Sequence, residues 1–148
     1  MSKLLEIEGL ESGFDTEGGL VRAVDGVSFE LEKGRTLGIV GESGCGKTVT
    51  AMSIVDLLPK PAGRVLGGSI RFMGRELRGA KPEVMYNVRG NEIGVIFQEP
   101  MAALNPVQRV GKQIIESLLL HRDTSKQEAL KRAVELLDAV GIPSPERR

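Results

Sequence analysis

Eight residues of this chain have the types and spacing to do chemistry: Gly41-Glu42-Ser43-Gly44-Cys45-Gly46-Lys47-Thr48. They fill the pattern G-x-x-x-x-G-K-[ST]. Glycines at these positions let successive backbone N–H groups turn inward around a chain of phosphates, at the positive end of a helix dipole. Lys47 is placed to meet the β- and γ-phosphate oxygens, and the Thr48 hydroxyl to ligate Mg²⁺. The pattern carries this meaning when a strand precedes it and a helix follows; otherwise it is a glycine-rich turn that binds nothing. Thr36-Leu37-Gly38-Ile39-Val40, entered from Gly34, reads as a short buried strand, and Thr48 to Leu58 reads as a helix stopped by Pro59. Both flanks therefore predict a nucleoside triphosphate site. Cys45 sits among backbone donors, so it reads either as a small filler or as a thiol activated by the helix terminus.

The remaining elements are those that must position this loop. Leu4 to Leu10 alternates as a strand, Asp15 to Gly19 reads as a turn, and Val21 to Leu31 alternates again before Glu32-Lys33-Gly34. Pro59 to Gly63 breaks regular structure, Gly68 to Met73 reads as a strand, and Lys81 to Arg89 as a short helix. Glu92-Ile93-Gly94-Val95-Ile96-Phe97 reads as a buried strand ended by Pro100. From Pro106 the pattern is helical only. Val107, Val110, Ile114, Leu118 and Leu119 form one apolar face. The next helix opens on Ser125 with Glu128, a capping box, and stops at Gly141-Ile142-Pro143. Its expected buried stripe is Leu130, Ala133, Val134, Leu137 and Val140.

Composition narrows the class of function. At 148 residues the chain has the length of one domain. Lys plus Arg number 20 and Asp plus Glu number 20, a balance that argues against a broad nucleic-acid footprint. A single cysteine excludes an internal disulfide framework, and the acidic turn of Met1-Ser2-Lys3-Leu4-Leu5-Glu6 does not read as a signal peptide. Apolar runs such as Leu118-Leu119-Leu120 are far below the roughly 20 residues that span a bilayer.

A second polar group follows the strand at 92–97. Gln98 lies at the start of a proline-bounded loop, where its amide oxygen can accept from a metal-bound water and its nitrogen can donate. It can thus report on a γ-phosphate, or it is simply a polar strand-end residue. Around it, Phe97-Gln98-Glu99-Pro100-Met101 and Leu104-Asn105-Pro106 resemble the ATP-binding subunits of ABC transporters, in particular the dipeptide, oligopeptide and nickel importer group. Arg22-Ala23-Val24-Asp25-Gly26-Val27-Ser28-Phe29 and Leu37 to Gly44 carry the same resemblance to the wider family.

The resemblance implies an α/β fold. Its phosphate-loop (RecA-like) core carries an antiparallel β subdomain through residue 106, with the start of a helical subdomain over 107–148. It implies ATP and Mg²⁺ as ligands, with Thr48 and Gln98 on the metal, and it makes Phe14 a candidate for stacking on adenine, against the reading of an ordinary strand-end aromatic. Expected partners are permease subunits and a homologous ATP-binding subunit, with no nucleic acid. The expected location is cytoplasmic, on the inner face of the plasma membrane. The family's signature helix, its Asp strand with the following catalytic Glu, and its switch histidine are not among these residues. The expectation is therefore an incomplete domain that binds nucleotide without turnover, with no catalytic residue of its own. Glu99 is not the catalytic carboxylate, and His121 reads as a last-turn helix residue. Two other readings stay open, a non-catalytic nucleotide-binding fragment and a small phosphoryl-transfer enzyme. The resemblance leaves the transported solute undetermined.

Overall fold

A computed structural model describes residues 3–99 and 103–148. They fall into two compact units, one ending at Val88 and the other beginning at Arg89.

The first unit is built on an antiparallel hairpin. Strand β1 (Lys3–Thr16) turns at Glu17-Gly18 into β2 (Gly19–Glu32), in a register running from Thr16 opposite Gly19 to Lys3 opposite Glu32. The other edge of β1 takes β3 (Gly63–Phe72), also antiparallel, and β3 turns back into the two-residue β4 (Arg75–Glu76). The sheet order is β2-β1-β3-β4. Alternation explains its two faces. Ile7, Leu10, Val24, Ile70 and Phe72 are buried. Exposed rows carry the ion pairs Lys3–Glu30, Glu8–Arg71 and Asp15–Arg64.

Helix α1 (Lys47–Ile54) contacts β1, β2 and β3, and buried Val55 and Leu58 follow it. Helix α2 (Pro82–Asn87) buries Met85. The Glu76 carboxylate closes the β3–β4 turn by accepting from Ile70 N at 2.9 Å, Arg78 N at 3.0 Å and the Ser69 hydroxyl. Burial pushes its pKa up, but these donors outweigh that and hold it below the ordinary carboxylate value.

In the second unit α3 (Val110–His121) packs on α4 (Lys126–Ala139). The capping box is present: Glu128 N donates to Ser125 Oγ at 3.2 Å, and Ser125 N donates to the Glu128 carboxylate at 2.9 Å. The expected stop is a Schellman turn, with Ile142 N on Leu137 O at 3.0 Å, Gly141 N on Asp138 O at 2.8 Å and Gly141 at φ +77°. The buried stripe is Ala129, Ala133 and Leu137, whereas Leu130 and Val140 are exposed. Two alanines at i, i+4 spacing give α4 a flat face that a bulkier Leu130 does not share.

Four expectations need correction. Residues 36–40 are not a strand: Leu37, Ile39 and Val40 are exposed, Val40 by 92%. Residues 92–97 are not one either, having only an isolated bridge from Ile93 to Arg89, with Ile96 94% exposed. Both runs are short and apolar, and such a run becomes a strand only where neighbouring backbone completes its ladder. Among the described residues neither has that neighbour. Helix α1 ends at Ile54, not Leu58, and β3 begins at Gly63, inside the segment expected to break regular structure.

Candidate functional site

The chain leaves β2 through a turn closed by Arg35 N on Glu32 O at 3.1 Å and runs without regular structure through 36–40 into the loop. Of the two expected flanks, the helix is present and the strand is not. Inside the loop Cys45 N donates to Glu42 O at 3.3 Å, and Gly44 and Gly46 adopt φ of +83° and +89°. Gly46 is the cap residue of α1. A Cβ on it would lie 2.4 Å from the carbonyl oxygen of Ala23, so the loop rests directly on the backbone of β2. Only glycine satisfies both that contact and that conformation.

Helix α1 begins without a side-chain cap and without an acidic residue in its first turn. Its earliest N–H groups therefore remain available to a ligand or solvent. The Lys47 ammonium donates to Gly41 O at 2.8 Å and Glu42 O at 2.6 Å, with Cys45 Sγ at 3.5 Å. An ammonium has three N–H groups. Two are on loop carbonyls and the third faces the Cys45 sulfur, a weak acceptor that an anion can displace. Glu42, Ser43, Gly44, Cys45 and Thr48 are exposed around it.

No group of three or more His, Cys, Asp or Glu suited to a metal occurs among the described residues. Exposed Thr48 offers a hydroxyl, a hard oxygen donor, at the start of α1, with the oxygens of Glu42 and Ser43 in the same loop. That donor set fits Mg²⁺, which takes one or two protein oxygens and completes its shell with phosphate and water.

Phe14 lies on β1 opposite Val21 of β2 and Gly63 of β3. It is half-buried, and a Cβ at Gly63 would meet its ring at 2.9 Å and Leu58 at 3.0 Å. One role of Phe14 is thus to cover the bare backbone of Gly63. Gln98 and Glu99 are exposed in the second unit, in a segment without regular structure. Of the stretch that carried the resemblance, Pro100 and Met101 lie outside the described residues. Its continuation is ordered by a residue that sequence reading did not single out. Gln113 of α3 accepts from Asn105 N at 3.0 Å and donates to Asn105 O at 3.1 Å and Gln108 O at 3.2 Å. Asn105 Oδ1 in turn accepts from Val107 N at 3.1 Å. The spacing of Asn105 and Gln113 was visible, but nothing in it marked a clamp. Ala23 was missed for the same reason, since its contribution is a carbonyl. His121 ends α3 with its ring against Gly90.

Comparison with known proteins adds the family. A family model described as ABC transporter matches residues 24–148. The oligopeptide transport ATP-binding protein OppD of Bacillus subtilis (strain 168) is 53% identical over 148 residues, covering 100% of this chain and 41% of that protein. The dipeptide transport ATP-binding protein DppD of the same organism is 48% identical over 148 residues, covering 100% of this chain and 44% of that protein. The chain thus spans about two fifths of the length of these curated relatives. The solved dimeric structure of MJ0796, a bacterial ABC transporter cassette, matches with a TM-score of 0.76 at 20% identity, over 91% of this chain and 56% of that one. A post-hydrolysis state of the same cassette bound to ADP and Pi matches with a TM-score of 0.77 at 20% identity, over the same shares. The fold is that of an ABC ATPase cassette, in part.

Proposed function

This chain belongs to the ABC transporter family, and from that premise we propose that it is the nucleotide-binding part of an importer's ATP-binding subunit, serving peptides or related small solutes. The observation that carries the reading is Lys47, whose ammonium is fixed by two loop carbonyls beside an uncapped helix N-terminus. A terminal phosphate would take the place of the weakly held Cys45 sulfur on Lys47 and meet the N–H groups of the first turn. The relatives named as oligopeptide and dipeptide transport ATP-binding proteins support the substrate class.

ATP is the proposed ligand, held by Gly41, Glu42, Ser43, Gly44, Cys45, Gly46, Lys47 and Thr48. Mg²⁺ would sit on the Thr48 hydroxyl, with Gln98 as a second contact, and would neutralise phosphate charge. Phe14 is assigned to the adenine ring, a stack worth about 1–3 kcal/mol. Gln98 is assigned to sensing the γ-phosphate or its attendant water. The proposed partners are permease subunits and a homologous ATP-binding subunit, in keeping with the dimeric cassette among the structural neighbours. Among the described residues no helix is long and apolar enough to cross a membrane. Attachment to the inner face of the plasma membrane is accordingly proposed to run through the permease.

Titration calorimetry with MgATP tests the assignment. Lys47→Ala should weaken binding by about 1.5–3 kcal/mol, the worth of a charge-assisted hydrogen bond. Equal affinity in parent and variant would remove Lys47 from the site and the reading with it.

A further inference from the structure

We infer that a buried hydroxyl pair, Ser12 on β1 and Ser53 on α1, sets the position of the phosphate loop, so that both are positioning residues for the nucleotide. This rests on the reading of residues 41–48 as the nucleotide site. The two Oγ atoms are 2.7 Å apart, and the serines are 0% and 2% exposed. Ser53 Oγ also donates to the carbonyl of Val49 at 2.7 Å. A hydroxyl has one proton. With that of Ser53 on Val49, Ser12 is the donor within the pair. A directed chain therefore runs from Ser12 on β1, an inner strand of the sheet, through Ser53, to the backbone of the turn that carries Lys47 and Thr48.

No apolar side chain within α1 itself is fully buried; Val55 and Leu58 are buried only past its end. Within α1 the buried residues are Thr50 and Ser53, both hydroxylated, and the Thr50 hydroxyl is spent on Gly46 O at 3.0 Å in its own helix. On its other side Ser53 lines a cavity of about 400 Å³, shared with Ile70, Leu77 and Met85. Gly46 seats the start of α1 and buried Val55 and Leu58 follow its end, so between them the hydroxyl bond is the contact that fixes the helix face turned to β1. A shift lowers the population of loops in register with β2, and apparent affinity falls with that population.

The two serines are not equivalent. Ser12→Ala leaves Ser53 its bond to Val49, whereas Ser53→Ala strands the buried Ser12 hydroxyl. The test measures, on the full chain, affinity for a non-hydrolysable ATP analogue with Mg²⁺ and the thermal midpoint. Variants are Ser12→Ala, Ser53→Ala, the double variant, Ser53→Thr and Lys47→Ala. Ser53→Ala should bind about five-fold more weakly, the equivalent of one net hydrogen bond, and unfold at the lowest temperature of the serine variants. The double variant should regain part of the midpoint, because no hydroxyl is stranded, but none of the affinity. Ser53→Thr keeps the hydroxyl and has cavity space for its methyl, so it should bind like the parent. Parent affinity in all serine variants with lowered midpoints would reduce the pair to a stabilising contact and overturn the inference. So would Ser53→Thr binding as weakly as Ser53→Ala. Parent affinity in Lys47→Ala would instead remove the site reading.

Discussion

Gly46 carries a constraint independent of any phosphate. Its φ of +89° and the Ala23 oxygen 2.4 Å from a would-be Cβ make Gly46→Ala wrong twice, in conformation and in space. The backbone conformation alone costs about 1–3 kcal/mol for a residue with a side chain. Gly46→Ala should therefore lower unfolding stability in denaturant by at least that much and abolish nucleotide binding. A variant as stable as the parent would show that the loop is not seated on β2. At this scale the sequence was legible where side chains announce themselves. Lys47, Thr48 and the glycines stand in a pattern that can be read at sight, and the structure gathers them in one loop at the start of α1. Ala23, Ser12 and Ser53 do not announce themselves, because a carbonyl has no letter and a serine is ordinary until its neighbour is known.

Local signals fixed some elements better than others. The α4 cap was readable because Ser125 and Glu128 satisfy each other within one turn, with no need of the rest of the molecule. The Ser125 backbone N–H, then the Ser125 and Thr124 hydroxyls, hold the Glu128 carboxyl below its ordinary 4.5. A folded-state pKa below the unfolded one stabilises at pH above the unfolded value, and that contribution disappears as pH falls through the folded value. The helical signal of α4 should accordingly weaken on acidification below 4.5. Ser125→Ala should cost about 1 kcal/mol at neutral pH and flatten the acid dependence, both read by circular dichroism and denaturant titration. An unchanged acid profile would show that the cap does not hold in solution. The runs at 36–40 and 92–97 failed as strand predictions for the opposite reason. Apolarity in a short segment announces that it will be covered, but not by which backbone.

Across the whole molecule those two runs leave apolar side chains in water: Leu37, Ile39 and Val40 in the first unit, Val95, Ile96 and Phe97 in the second. Contiguous apolar exposure marks either an interaction surface or an aggregation hazard. The 148-residue polypeptide by itself should bind a hydrophobic dye and self-associate with concentration in sedimentation velocity. Replacing Ile96, 94% exposed, with Lys should reduce both. Dye-negative, monomeric behaviour would show that the segments are covered in solution. The hairpin of β1 and β2 pairs residues close in sequence, whereas docking β3 on β1 encloses everything between, phosphate loop and α1 included. Short-range pairings close cheaply and early, and the long closure comes after them. The loop's geometry is therefore a late acquisition on the folding route. A nucleotide that engages only the finished loop stabilises the native state without helping the rate-limiting step. In stopped-flow experiments saturating MgATP should slow unfolding while leaving the refolding rate nearly unchanged. Faster refolding with nucleotide would mean that the loop is already formed when the barrier is crossed.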